Sequence, residues 1–178
     1  MSLGLPSGLL WATMNIGASS PEEFGLYFSW GNVPGHAEAS GFDFSREVYN
    51  ETPAAAIEAN LSLAEDMARL SLGSPWRMPT EQEFQELIDN CTRVWTTLQG
   101  VSGLLFTSNI NGNSVFFPAA GRYNGTTLDD RGTDAYYWSS SYLSSSGAYG
   151  LYFSETVINS SYSSNRWYGF TARAVFKP

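Results

Sequence analysis

The stretch WRMPTEQEFQEL, residues 76–87, holds the clearest structural signal in the chain. Thr80 and Glu83 form a Thr-x-x-Glu capping box, in which each side chain accepts a hydrogen bond from the backbone N–H of the other residue. Glutamates cluster in the first turns, where the positive end of the helix dipole favours carboxylates. The stretch therefore predicts a helix that begins after Thr80 and buries a face made of Phe84, Leu87, Ile88 and Cys91.

A second helix is predicted upstream of this stretch. Thr52 can cap it, and Pro53 suits the first helical position. Gly73 and Pro75 are typical of a helix end. Apolar residues spaced by three and four positions form the buried stripe of this helix: Ile57, Leu61, Ala64 and Ala68.

The rest of the chain is predicted to be strand or turn, mostly from about residue 94 onward. Asn111-Gly112 lies between two apolar runs and predicts a tight hairpin. Other strands are predicted at residues 9–13, 26–30, 147–157 and 167–176. One strand region, two helices and then many strands favour a single α+β domain over residues 1–178, with the helices segregated from the strands.

The composition excludes several classes of protein. The chain has 178 residues, of which 43% are hydrophobic, so it can bury a core and is not disordered. Only 15% are charged and the net charge is −8, which argues against nucleic acid as a partner. No run approaches the roughly 20 apolar residues of a membrane span, so no direct membrane insertion is expected. The start, residues 1–4, lacks the features of a signal peptide, so a targeting segment is expected to be missing from this chain.

Residues 136–168 have an unusual composition. These 33 positions hold 11 Ser and 7 of the 10 tyrosines, and only Glu155 and Arg166 are charged. A flexible linker is one reading of such a tract. Embedded apolar residues favour a segment anchored in the core instead: Trp138, Leu151, Phe153 and Val157. Tyrosine and small polar residues are typical of recognition loops, so the segment predicts a binding face, the alternative being an ordinary polar β surface.

Residues 76–87, together with short motifs along the whole chain, resemble the Fibrobacter-type major paralogous domain family. That family is common in surface proteins of gut Bacteroidetes-like bacteria, which implies an extracellular or cell-surface location. The Trp-Arg-x-Pro-Thr-Glu signature is also similar to that of the formylglycine-generating-enzyme branch of the C-type lectin fold. The other matching motifs are Leu3-Gly4-Leu5, Trp11-Ala12-Thr13, Asn15-x-Gly17-Ala18, Pro21-Glu22-Glu23, Trp30-Gly31, Asn113-Ser114-x-Phe116-x-Pro118-Ala119-Ala120-Gly121, Tyr137-Trp138-Ser139-Ser140 and Gly169-Phe170-x-x-Arg173.

The resemblance implies a C-type-lectin-like domain with two helices, small twisted antiparallel sheets and long loops. Some members of this fold are variable proteins of diversity-generating retroelements, which rewrite a C-terminal segment largely at Asn codons. Residues 136–168 resemble such a segment, although Trp167 and Glu155 cannot arise from an Asn codon by adenine changes alone. The frame would be Ala148, Leu151, Phe153, Val157, Arg166, Gly169 and Phe170. The ligand-binding residues would be Tyr142, Leu143, Ser145, Ser146, Tyr149, Gly150, Tyr152, Ser154, Ile158, Ser161, Tyr162, Ser163, Trp167 and Tyr168.

Enzyme chemistry is disfavoured by the residues that it would need. The enzymatic relatives of the fold use paired cysteines near the C-terminus, whereas Cys91 is the one cysteine here. His36 is the one histidine, and no nucleophile elbow or His/Cys cluster accompanies it. Residues 129–134 form the best calcium candidate, but their spacing does not match an EF-hand, and a solvated acidic turn is favoured. No catalytic residue, metal site or cofactor is therefore predicted.

The sequence predicts a non-enzymatic module that binds an extracellular protein or a glycan. The alternative is a structural or adhesin-tip domain that has no single dedicated ligand, and an enzyme is the third reading. Arg77 and Arg173 are predicted to be structural, because a planar guanidinium can tie together backbone carbonyls or a carboxylate.

Overall fold

The computed structural model describes residues 1–46 and 58–178 and shows an α+β fold, as the order of elements predicts. Two α-helices are bounded within the described residues: α1 (Met67–Leu72) and α2 (Glu81–Asn90). The strands are β1 (Leu10–Trp11), β2 (Cys91–Leu98), β3 (Val101–Ser108), β4 (Ser114–Pro118), β5 (Arg122–Asn124), β6 (Thr127–Asp129), β7 (Asp134–Tyr142), β8 (Gly147–Ser154), β9 (Ile158–Asn165) and β10 (Val175–Phe176).

The strands form several small sheets in which neighbouring strands run antiparallel. The larger sheets have the orders β2-β3-β4 and β7-β8-β9, and β5 pairs with β6. β1 pairs with β10, with Leu10 opposite Phe176 and Trp11 opposite Val175. This pairing joins segments close to the two ends of the described chain.

The capping box places α2 as the sequence predicts. The Thr80 side chain accepts a hydrogen bond from Glu83 N (3.2 Å), and Glu83 Oε2 accepts one from Thr80 N (2.9 Å). Arg77 donates to both oxygens of the Glu83 carboxylate, at 2.7 and 2.6 Å, and to the Met78 carbonyl. This confirms the structural contact expected of Arg77. Phe84 is buried on the inner face of the helix, but Cys91 is the first residue of β2 rather than part of α2.

The upstream helix differs from its prediction. Its predicted start at Thr52 lies outside the described residues, and residues 59–66 are not helical. Leu61 N donates to the Ser140 carbonyl, so the backbone here pairs with β7 instead of continuing a helix. Asp66 caps α1, because its side chain accepts hydrogen bonds from Arg69 N and Met78 N. Of the predicted buried stripe, Leu61 and Ala68 are buried and Ala64 is exposed, while Ile57 lies outside the described residues.

Other predicted strand regions differ in extent from their patterns. Over residues 26–30, Tyr27 and Phe28 make isolated bridges but no strand forms. The hairpin at Asn111-Gly112 does form between β3 and β4, with residues 109–113 as its connection rather than two residues. Over residues 167–176, only β10 is a strand. All of residues 169–175 are buried, with Phe170, Ala172 and Ala174 in one core cluster and Val175 in another.

Two core clusters, each with several aromatic residues, lie on opposite faces of the β7-β8-β9 sheet. The first lies beneath α2 and the β2-β3-β4 sheet and includes Phe84, Phe106, Phe117, Tyr137 and Phe153. The second lies on the other face and includes Trp30, Met67, Trp138, Ala148 and Phe170. Because both faces of this sheet are covered, β7 is buried at every position from Ala135 to Ser141.

Arg173 ties three segments together inside the protein. Its guanidinium is fully buried and donates to Asn15 Oδ1, to the Ala12 carbonyl and to the Phe116 carbonyl, at 2.9 to 3.0 Å. It also lies over the Phe117 ring, 4.3 Å from its centroid. Burial lowers the pKa of Arg173 to about 10, so the side chain remains charged at neutral pH. The structural role expected of Arg173 is confirmed at the level of its contacts.

We expect Arg173→Ala to lower the free energy of unfolding by about 3 kcal/mol or more, since it removes the guanidinium donor from two buried acceptors and from one partly buried acceptor. Arg77→Ala should cost about 1–2 kcal/mol, because its ion pair with Glu83 is partly exposed. Urea unfolding measures both, and Arg93→Ala is the control because Arg93 is exposed. An Arg173→Ala midpoint equal to that of the wild type would contradict this role.

Candidate ligand-binding site

The Ser/Tyr-rich segment is a folded part of the protein. Residues 136–168 comprise most of β7, all of β8 and β9, and the turn after β9. Trp138, Leu151 and Phe153 are fully buried and anchor the segment, as predicted. Val157 does not, because it lies in the turn between β8 and β9 and is 51% exposed. The segment is thus a three-stranded meander and not a linker.

The predicted ligand-binding residues lie in several places rather than on one face. Tyr142 and Tyr149 line a small hollow beside the start of α2. Ser154 and Ile158 line a second hollow, near Arg93. A third hollow is a groove, and the following surface residues of the set lie in it or next to it: Leu143, Ser146, Tyr152, Tyr162, Ser163, Trp167 and Tyr168. The two remaining surface residues, Ser145 and Ser161, are exposed and line none of these three hollows.

The third hollow, which we call the Arg122 groove, has a volume of about 350 Å³. Its walls are the loop between β7 and β8, the second half of β9 and the start of β5. The residues that line it are Arg122, Leu143, Ser144, Ser146, Gly147, Tyr162, Ser163, Ser164, Asn165 and Tyr168. Five of these belong to the predicted ligand-binding set. The groove therefore brings together more of the predicted surface residues than either of the other two hollows.

A tyrosine cluster lies beside the groove and reaches it through Tyr162. Tyr136, Tyr152 and Tyr162 have ring centroids 5.2 to 5.6 Å apart from one another. Arg122 lies over the Tyr136 ring at 4.8 Å and over the Tyr168 ring at 5.2 Å, and its Nη1 donates to the Tyr162 hydroxyl at 3.2 Å. Arginine over aromatic faces is favourable, so these rings fix the guanidinium in place.

The acidic turn at residues 129–134, the best calcium candidate of the sequence, supports this cluster. The Tyr136 hydroxyl donates to Asp130 Oδ2, and the Tyr152 hydroxyl donates to Asp134 Oδ1, both at 3.0 Å. Burial and then the hydrogen bond to the carboxylate raise the pKa of each tyrosine above its ordinary value. Among the described residues, no three His, Cys, Asp or Glu side chains are grouped so as to hold a metal ion.

The loop between β7 and β8 is held from beneath by Arg166. This side chain is buried, and its Nη1 donates to the Ser145 carbonyl at 2.9 Å. Arg166 N donates to the Ser146 carbonyl, and the guanidinium lies 5.0 Å from the centroid of the Trp30 ring. Ser144 Oγ also accepts a hydrogen bond from Gly147 N. The rim of the groove is therefore tied to the core, in agreement with the frame position predicted for Arg166.

The sequence places Gly150 in the ligand-binding set, which requires this residue to be exposed. That expectation is wrong. The residue is buried in β8, opposite Trp138 and Tyr162. A Cβ atom at Gly150 would lie 2.5 Å from the Tyr137 carbonyl oxygen, which is part of the backbone. Gly150 therefore allows close packing of β8 on β7 and offers no side chain to a ligand.

Sequence reasoning misses Arg122 as part of this surface and Tyr136 as the buried ring beneath it. Arg122 lies outside the Ser/Tyr-rich segment, and its partner Tyr162 is 40 residues away along the chain. No local spacing connects the two, so the pairing is visible only once β5 and β9 are placed side by side. The one signal in the sequence is the rarity of cations, of which the chain has nine.

His36 and Cys91, the residues that could serve catalysis, both pack against apolar or aromatic neighbours. His36 stacks on Phe42 with ring centroids 3.5 Å apart. Cys91 is buried against the first core cluster, and burial raises the pKa of its thiol to about 11. A thiol with such a pKa is almost entirely protonated at neutral pH and is a poor nucleophile.

No protein-family model, curated protein or solved structure matches this chain. Within residues 1–46 and 58–178, no helix has both the length and the apolar character needed to cross a membrane.

Substitutions at Gly150 and Ser145 separate a packing position from a surface position within the same segment. We expect Gly150→Ser to lower the free energy of unfolding by about 2 kcal/mol or more, because the new Cβ collides with the backbone of β7. Ser145→Asn should change it by less than about 0.5 kcal/mol, since this residue is exposed. Chemical unfolding of the two variants measures the difference. Equal stability of Gly150→Ser and wild type would restore Gly150 as a surface position.

Proposed function

We propose that the chain is a non-enzymatic binding module that presents the Arg122 groove to an extracellular protein or glycan. The observation that carries the proposal is the convergence of partly exposed Tyr and Ser side chains around a groove whose walls are tied to buried residues. Tyrosines give large contact areas at low cost in conformational entropy, and serines adapt their hydrogen bonds to a ligand. A recognition surface of this kind needs a rigid support.

We further propose that the scaffold is a C-type-lectin-like domain. The two helices, the small antiparallel sheets and the long irregular connections agree with what the resemblance of residues 76–87 implies. The cell-surface or extracellular location and the diversification of residues 136–168 belong to the same proposal. Diversification is compatible with exposed positions such as Ser146 and Ser163, which pack against little. It is incompatible with Gly150, for the steric reason given above.

The alternative, a structural or adhesin-tip domain without a dedicated ligand, is favoured by one specific observation. Tyr152 and Tyr162 are half-buried and pack on the second core cluster, so part of the tyrosine content serves stability. Replacing these two side chains would therefore change both packing and any binding. A test of binding needs substitutions at exposed positions instead.

Filling the groove tests the proposed function directly. A screen of the wild-type protein against extracellular proteins and glycans is expected to give at least one saturable ligand. Ser163→Trp and Ser146→Trp place a large ring in the groove, and each should weaken binding of that ligand by about 10-fold or more. Ser161→Trp is the matched control, because Ser161 is an exposed serine of the same strand outside the groove.

Melting temperatures of the three tryptophan variants should stay close to the wild-type value, because the substituted serines are exposed. Failure of the screen to find any ligand would favour the structural alternative. Equal loss of binding in Ser161→Trp and Ser163→Trp would place the binding surface elsewhere on the segment.

A further inference from the structure

The guanidinium of Arg122 lacks a carboxylate partner within the described residues. Arg77 pairs with Glu83 and Arg131 with Glu38, whereas Arg122 makes no ion pair with any residue of 1–46 or 58–178. Of its five N–H groups, one on Nη1 is used, in the hydrogen bond to the Tyr162 hydroxyl. Nε is buried and has no acceptor in the same part of the chain. A partly buried cation with unused donors is costly unless something supplies an acceptor.

The electrostatic surroundings keep Arg122 charged. Burial disfavours its charge, but the phenols of Tyr136, Tyr162 and Tyr168 and the carboxylate of Asp130 outweigh this and raise its pKa. The Asp130 carboxylate accepts the hydrogen bond from Tyr136 and acts on Arg122 from a distance. Arg122 is the only charged side chain among the residues that line the groove in the described part of the chain.

The position of the Arg122 guanidinium is fixed before any ligand binds. The rings of Tyr136 and Tyr168 hold the guanidinium plane, and Tyr162 holds one edge. A planar guanidinium held in this way matches the geometry of a carboxylate, to which it can donate two parallel hydrogen bonds. A preorganised donor loses little entropy on binding, so it favours an acidic ligand.

The other residues that line the groove indicate which class of ligand bears the carboxylate. Half of the residues that line the groove are serines or an asparagine: Ser144, Ser146, Ser163, Ser164 and Asn165. Tyr162 and Tyr168 add phenol hydroxyls, and Leu143 is the one aliphatic side chain in the set. A protein ligand relies on large apolar anchors buried at the centre of its interface. A groove rich in hydroxyl groups fits a polyhydroxylated ligand better.

We propose that the Arg122 groove binds a carboxylate-bearing sugar, such as a sialic or uronic acid residue of a glycan. The sugar carboxylate pairs with Arg122, and its hydroxyls bond to the serines and to Asn165. This proposal rests on the proposed function and narrows the ligand to one chemical class.

Arg122 lies outside the segment that would be diversified. It belongs to β5, while Tyr162, Ser163 and Tyr168 lie within residues 136–168. If residues 136–168 vary between diversified copies of this protein, Arg122 stays the same and the groups around it change. The requirement for an acid would then be constant, and the identity of the preferred glycan would differ from copy to copy.

A glycan array that carries sialylated, uronic-acid-containing and neutral glycans tests the inference. We expect the wild-type protein to bind acidic members, and methyl esterification of their carboxylates to weaken binding by about 10-fold or more. Arg122→Gln should give a similar loss. Arg93→Gln is the matched control, since it removes one positive charge from an exposed site on β2, away from the groove.

The ester comparison uses the wild-type protein, so it remains decisive even if Arg122→Gln is poorly folded by its melting temperature. Equal binding of acid and ester would overturn the inference. The inference would also be overturned if the protein bound neutral glycans or proteins, and if Ser163→Trp abolished this binding while Arg122→Gln left it unchanged. That result would leave the proposed function intact. Binding of glutamate-rich peptides without binding of any acidic glycan would also overturn the assignment to a sugar.

Discussion

The buried guanidinium of Arg173 is the interaction on which the rest of the structure depends. It joins the segment after β1 to β4 through Asn15 and the Phe116 carbonyl. Asn15 in turn donates to the Tyr137 hydroxyl at 3.2 Å, and that hydroxyl donates to the Pro118 carbonyl. A charged group that satisfies several buried acceptors specifies one arrangement of the segments around it. β7 is thereby fixed against segments near both ends of the described chain.

The shape of the Arg122 groove depends on the fixed position of β7. β8 packs closely on β7 because Gly150 has no side chain, and Trp138 is stacked on Phe170 with centroids 4.0 Å apart. Arg166 then ties the β7–β8 loop to the same core. Variation at the rim of the groove would leave these contacts unchanged. Exposed rim residues such as Ser146 and Ser163 are thus distinct from the buried residues that maintain the fold, whereas Tyr162 belongs to the groove and also packs on the core.

The sequence predicts features whose determinants are local and misses those that depend on distant partners. The capping box of Thr80 and Glu83 lies within one turn, so the sequence predicts α2 at its observed start. The upstream helix is predicted across residues 59–66, where the backbone instead pairs with Ser140 in β7. The resemblance of residues 136–168 to a diversified segment places Gly150 on the surface, because sequence alone does not show that β7 lies against it. Arg122 is missed since its partners lie in other segments.

The central claim is that ligands enter the Arg122 groove of a rigid frame. Hydrogen-exchange mass spectrometry, with and without the tightest glycan from the array, measures this most directly. Binding in the groove should slow amide exchange in residues 143–147 and 162–168, with little change in residues 91–98. Protection concentrated instead in residues 93–95 and 154–158, on the other side of the sheet, would contradict it.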